Sequence, residues 1–117
     1  MIRHENENGN IVISTNVYTD IAGTAATNCF GVKGMAARSV KDGLYHLLRK
    51  ESAGKGVRVR FHEDDSISID LHIMVNNGVN LAAVSNSIIS EVRYVVTKHT
   101  GTKVQSVNVY VDSMMVD

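Results

Sequence analysis

A chain of 117 residues, 44% of them hydrophobic, suffices for one ordinary domain with its own core and excludes a multi-domain array. It holds one cysteine and no proline, which excludes an intramolecular disulfide, a CxxC site and rigid proline linkers, and makes a reducing cytoplasm the natural compartment. With 12 basic and 12 acidic residues the formal charge is zero, so the overall basic footprint of a nucleic-acid binder is missing.

Met1 to Asn8 lacks the apolar stretch of a secretion signal and reads as a flexible leader, followed by one domain over 9–112 and a short tail over 113–117. Ile11-Val12-Ile13 is a short strand with Ile11 and Ile13 on one face, and Ser14 or Thr15 offers a hydroxyl to cap the helix that follows. Val17, Ile21, Ala25 and Cys29 recur at i, i+4 and form the apolar stripe of that helix, which Gly31 ends. Gly23 in mid-helix costs about 1 kcal/mol relative to alanine, and with Ala22, Ala25 and Ala26 beside it suggests a second backbone packed close. Gly31 to Met35 reads as a connector between helices. The stripe Val40, Leu44, Leu47 and Leu48 then predicts a second helix over about 39–51, closed by a glycine-rich turn at 52–56.

Val57 to Val75 alternates apolar and polar residues about Glu63-Asp64-Asp65-Ser66, the pattern of a half-buried hairpin. Keeping apolar opposite apolar sets 61 against 69, with a loop at 64–66 and Arg60 opposite Asp70. Asn76-Asn77-Gly78 marks a turn. Leu81, Val84, Ile88, Val92, Val95 and His99 recur at three and four, with Gly101 as the C′ residue and Lys98 and His99 suited to the negative end of the helix. A last strand runs through Val107, Val109 and Val111. Leu71 to Ser90 carries no formal charge, yet asparagines interrupt it, whereas a membrane span needs about 20 predominantly apolar residues.

The predicted order is β-α-α-β-β-α-β, an α+β two-layer sandwich with a mostly antiparallel sheet and helices on one face. The other face then carries Arg58, Arg60, His62, Ser68, Asp70, His72, Met74, Ser106, Asn108 and Tyr110. No reaction follows from these residues. His62 and His72 fall at opposite ends of the hairpin with no third ligand, which argues against a metal. Asp64-Asp65 reads as a wet turn, Gly54-Lys55-Gly56 lacks the remainder of a phosphate loop, no serine sits in a nucleophile elbow, and Cys29 reads as core filler. The expectation is a non-enzymatic chain without a cofactor.

Charge is unevenly spread. Lys33 to Arg60 holds eight basic and two acidic residues, a net +6, which leaves −6 on the rest of the chain. Such asymmetry suits an anionic partner, or self-association of a basic patch with the acidic patch of the next copy. The candidate interaction surface is Lys33, Arg58, Arg60, His62, Asp70, His72 and Tyr110. Gly31-Val32-Lys33-Gly34 is also a G-x-x-G between predicted helices, like the loop with which KH domains clamp single-stranded RNA. A KH-like module is therefore the alternative, weakened by the neutral overall charge and by a sheet face whose single aromatic is Tyr110.

Taken together, G-N-I-V-I-S at 9–14, C-F-G-V-K-G-M at 29–35, V-K-D-G-L at 40–44, L-R-K-E at 48–51, G-V-R-V at 56–59, I-D-L-H-I-M-V at 69–75 and S-V-N-V-Y-V at 106–111 resemble the alkaline shock protein family. The likeness is to its short YloU-like branch in Gram-positive bacteria. It implies a small non-enzymatic cytoplasmic protein of the cell-envelope stress response, a homo-oligomer that binds a protein partner. In better-understood relatives that partner is membrane-anchored, which implies a place at the inner face of the membrane without insertion. The family pattern supplies no catalytic residues.

Overall fold

A computed structural model describes residues 2–38, 45–48 and 50–115. The first element is a strand, Ile2–Asn6 (β1), paired antiparallel with Gly9–Ile13 (β2). The stretch expected as a flexible leader is thus half of a hairpin. Ile2 lies opposite Ile13 and His4 opposite Ile11, while the Asn6 side chain accepts from the Asn8 N–H at 2.8 Å and closes the turn. Ile2 is 2% exposed and belongs to the core, and His4 Nε2 lies 3.3 Å from the Thr102 hydroxyl.

Thr15–Thr27 (α1) follows, with Ser14 in the N-cap position but making no side-chain cap bond. Its buried face is Tyr18, Ala22, Gly23, Ala25 and Ala26, whereas Val17 is exposed. The expected stripe is rotated by one residue at its start because Tyr18 is the larger anchor. Its ring meets Phe61 edge-on at 6.1 Å, and its hydroxyl lies 2.7 Å from that of Thr102. Gly23 does receive a second backbone: a Cβ there would lie 2.9 Å from the carbonyl of Ala53, in the 3-10 segment Lys50–Gly56.

Val32–Arg38 (β3) begins where a connector was expected, and Tyr45–Leu47 (β4) pairs with it. Of the helix predicted over 39–51, residues 39–44 and 49 lie outside the described residues, and the rest is the strand β4, Leu48 and the start of the 3-10 segment, with no α-helix. A short apolar run serves either structure, and tertiary pairing decides here. The Leu48 N–H donates to the Met35 carbonyl at 2.8 Å, and Gly34, lacking a Cβ, leaves room for Leu47. Gly31-Val32-Lys33-Gly34 consequently leads from a helix into a strand, with Lys33 as the extra residue of a bulge between Val32 and Gly34. It does not join two helices in the KH manner.

Val57–Phe61 (β5) and Ile67–Asn76 (β6) form the expected hairpin in a register displaced by two residues: Phe61 faces Ile67, and Arg58, not Arg60, faces Asp70. The loop closes at His62 and Ser66, where Asp64 accepts from both the N–H and the hydroxyl of Ser66 and Asp65 takes a left-handed φ of 65°. These bonds hold the Asp64 carboxyl below its usual pKa, so its help to the turn is present at neutral pH and is lost as pH falls through the carboxylate range. Asp65→Gly is expected to raise stability by about 0.5 kcal/mol and Asp65→Val to lower it by about 1 kcal/mol, read as urea midpoints.

Leu81–Thr100 (α2) matches its sequence signals. The Asn80 side chain caps it by accepting from Ala83 N–H at 3.0 Å, and Gly101 ends it at φ 72°. Val104–Met115 (β7) then runs parallel to β6 over its whole length, longer than the predicted strand, because α2 returns the chain to the start of the sheet. β6 is the hub of the sheet. β7 lies along one edge, and β5 and then β3 lie along the other, with β4 outside β3. Both helices pack on one face: Ile67, Ile69, Leu71, Ile73 and Val75 of β6 meet Ala22 and Ala26 of α1 and Val84, Ile88, Val92 and Val96 of α2 in one core. The α+β two-layer class is the one the sequence predicts.

Candidate functional site

The face of the sheet away from the helices gathers most of the predicted surface residues, and they bond to one another across the strands. His62 Nε2 lies 2.7 Å from Ser68 Oγ, which accepts in turn from the Ser106 hydroxyl at 2.9 Å. Asp70 Oδ1 accepts from Arg60 Nη2 at 3.1 Å and from Asn108 Nδ2 at 2.9 Å. His72 stacks on Tyr110 with ring centroids 4.8 Å apart and its Nδ1 lies 3.1 Å from Asp112 Oδ2. Each of Ser68, Asp70 and His72 on β6 is thereby tied to a neighbouring strand, and Asp70 is only 8% exposed. Arg60, His62, Asp70, His72 and Tyr110 come together as a ladder that fixes the pairing of β5, β6 and β7. Arg58 stands exposed on the same face, and Lys33 sits apart in the β3 bulge. Asp112 is missing from the predicted set because the predicted strand stops at Val111, whereas β7 continues to Met115 and carries Asp112, at a bulge, on the face of Asn108 and Tyr110.

A second feature lies at the end of the sheet where β6 turns into α2. Phe30 is 90% exposed, on the loop between α1 and β3. It borders a groove of about 640 Å³ lined by Gly31, Val79, Ala83, Val84 and the polar turn Asn76-Asn77-Gly78. The geometry has a local cause. Gly31 at φ 87° turns the chain sharply into β3, and a Cβ there would strike Val84 at 2.9 Å, so the chain passes tightly under α2 and leaves the ring outside. In the sequence the only sign of this is an aromatic directly before a helix-ending glycine and off the apolar stripe.

Between the exposed sides of the helices runs another groove, about 460 Å³, lined by Asp20, Ile21, Thr24, Glu91, Val95 and His99. Cys29 lies half-buried and donates to the Ala25 carbonyl at 3.4 Å. Burial, and secondly the charge of Glu91, push its thiol pKa up, which keeps it protonated and a poor nucleophile. Among the described residues no group of three or more His, Cys, Asp and Glu is placed to hold a metal ion, and no helix is long and apolar enough to cross a membrane.

The architecture is that of a small α+β sandwich, and solved structures share it. The MamM C-terminal domain superposes with a TM-score of 0.50 at 16% identity, covering 89% of this chain and 99% of that one. A copper form of the same domain gives 0.50 at 16% identity with 85% of each chain covered. At such identity the likeness concerns the fold alone. Within that class the chain belongs to the alkaline shock protein family, of cell envelope-related function, whose model matches residues 3–116. YloU of Bacillus subtilis (strain 168) is 41% identical over 109 residues, covering 92% of this chain and 90% of its own length. Spy1614 of Streptococcus pyogenes is 36% identical over 116 residues, with 98% and 95% covered.

Proposed function

We propose that this chain is a non-enzymatic cytoplasmic scaffold of the cell-envelope stress response, which acts by binding copies of itself and a protein partner, membrane-anchored as the family resemblance implies. The observation that carries the reading is Phe30, an aromatic ring held almost wholly in water beside an apolar groove. Exposed aromatic surface of this kind is what a protein partner removes from water, and buried aromatic anchors supply much of the affinity of protein interfaces. The sheet face supports the same reading in a different way. Its ladder of bonded side chains presents a fixed polar surface, with Arg58 and Tyr110 exposed on it, suited to a polar rim.

The test is capture of partners from a Gram-positive lysate on the immobilised protein, with proteins identified by mass spectrometry. Phe30→Ala is expected to weaken capture by about thirtyfold, the scale of a hot-spot residue, and Arg58→Glu to weaken it by a smaller factor, both with unchanged circular dichroism. Equal capture by wild type and Phe30→Ala removes the groove from the reading.

A further inference from the structure

The edges of the sheet differ in a way that bears on self-association. Among the described residues β4 is three residues long, and β5 presents Arg58 and Arg60, both being devices that discourage another strand from pairing. β7 has neither. It is 12 residues long, and among the described residues its pairing is with β6 alone, on one side. It contains no lysine, arginine or proline, and its single charged residue, Asp112, is turned onto His72. Near its start the Gln105 carbonyl accepts from Arg93 at 3.4 Å, which leaves Val107 to Val111 as a straight run between the bulges at Gln105 and Asp112.

Resting on the self-association reading above, we propose that two copies of this chain pair antiparallel through the free edge of β7, across a two-fold axis perpendicular to the sheet. Such an axis sets residues of the same face opposite each other, because side chains alternate with period two. With Val109 at the axis, Val107 of one copy meets Val111 of the other on the helix side, and Asn108 meets Tyr110 on the open side. A two-fold also repeats any charge on both sides of the axis, which opposes homotypic pairing where the charge lies at or beside the axis. From Val104 to Val111 there is no charge to be so opposed. The strand therefore matches itself, and both copies keep their helices on one side of a continuous sheet.

The experiment combines sedimentation over a concentration series with residue-resolved amide exchange on the full chain. A dimer is expected, with the slowest amides of Val107 to Val111 exchanging at least about tenfold more slowly in concentrated than in dilute protein, and β5 amides unchanged. Tyr110→Lys, which plants a charge beside the axis at a side chain 47% exposed, is expected to abolish the dimer with helix content retained. Tyr94→Lys, on exposed α2, is expected to dimerise as wild type does. A dimer whose protection lies at the Phe30 groove overturns the β7 assignment and leaves self-association standing. A monomer at every concentration overturns both, while partner capture through Phe30 is decided separately by the pull-down.

Discussion

Gly23→Ala is expected to destabilise the protein by about 1–3 kcal/mol, although alanine is the better helix former by about 1 kcal/mol. The sign is decided by what surrounds the position. A Cβ on Gly23 would lie 2.9 Å from both the carbonyl carbon and the oxygen of Ala53 and 3.2 Å from the Gly54 nitrogen. All are backbone atoms, so no side chain can rotate away, and α1 would have to lift from the 3-10 segment. That segment also carries Gly56, whose own missing Cβ leaves room for the carbonyls of Ala36 and His72, so a shift there is transmitted to the sheet. Gly23→Val is expected to cost more than alanine. Urea unfolding followed by circular dichroism measures both, and an alanine variant as stable as wild type would show that the 3-10 segment is not seated on the helix as described.

The crowding at Gly23 was visible in the sequence, because a mid-helix glycine among alanines has a cost that only close packing offsets. The C-terminal end of α2 is equally legible: Gly101, Lys98 and His99 are local signals read by local geometry, whereas the Asn80 cap emerges only in the structure. The hairpin was legible in its faces and not in its register. A slip of two residues keeps every apolar side chain on the same side, and the choice between Phe61 facing Ile69 and Phe61 facing Ile67 is made by the Asp64–Ser66 bonds and the left-handed Asp65. β1 is hidden because Arg3 to Asn6 are polar and Ile2 is its one core residue, and β3 because its partner in the sheet is distant, Val32 lying opposite Val75. For the candidate site the same division holds. Alternation places Arg60, His62, Asp70, His72 and Tyr110 on one face, whereas Phe30 owes its position to a glycine turn and Asp112 to a strand longer than its apolar run.

The two faces of β6 are expected to differ sharply in what they contribute to stability, and adjacent residues test it. Ile69 is fully buried, lies opposite Val59 on one side and Val107 on the other, and faces the helices. Ile69→Ala removes three carbons from the centre of a packed core and is expected to cost about 2–5 kcal/mol, a large part of the roughly 5–15 kcal/mol usual for a domain. Asp70, one residue on, points to the open face and accepts from Arg60 and Asn108. Bonds to a charged acceptor are worth about 1.5–3 kcal/mol where both partners are buried. The Arg60 side chain is 45% exposed and recovers water when Asp70 is lost, so Asp70→Ala is expected to cost about 1–2 kcal/mol. Chemical denaturation of both variants gives the comparison. A cost for Asp70→Ala equal to that of Ile69→Ala would mean that the polar ladder is part of what folds the chain. A clearly smaller cost leaves that face free to be shaped by what it binds, and then a lost interaction in an Asp70 or Arg58 variant reports on binding rather than on unfolding.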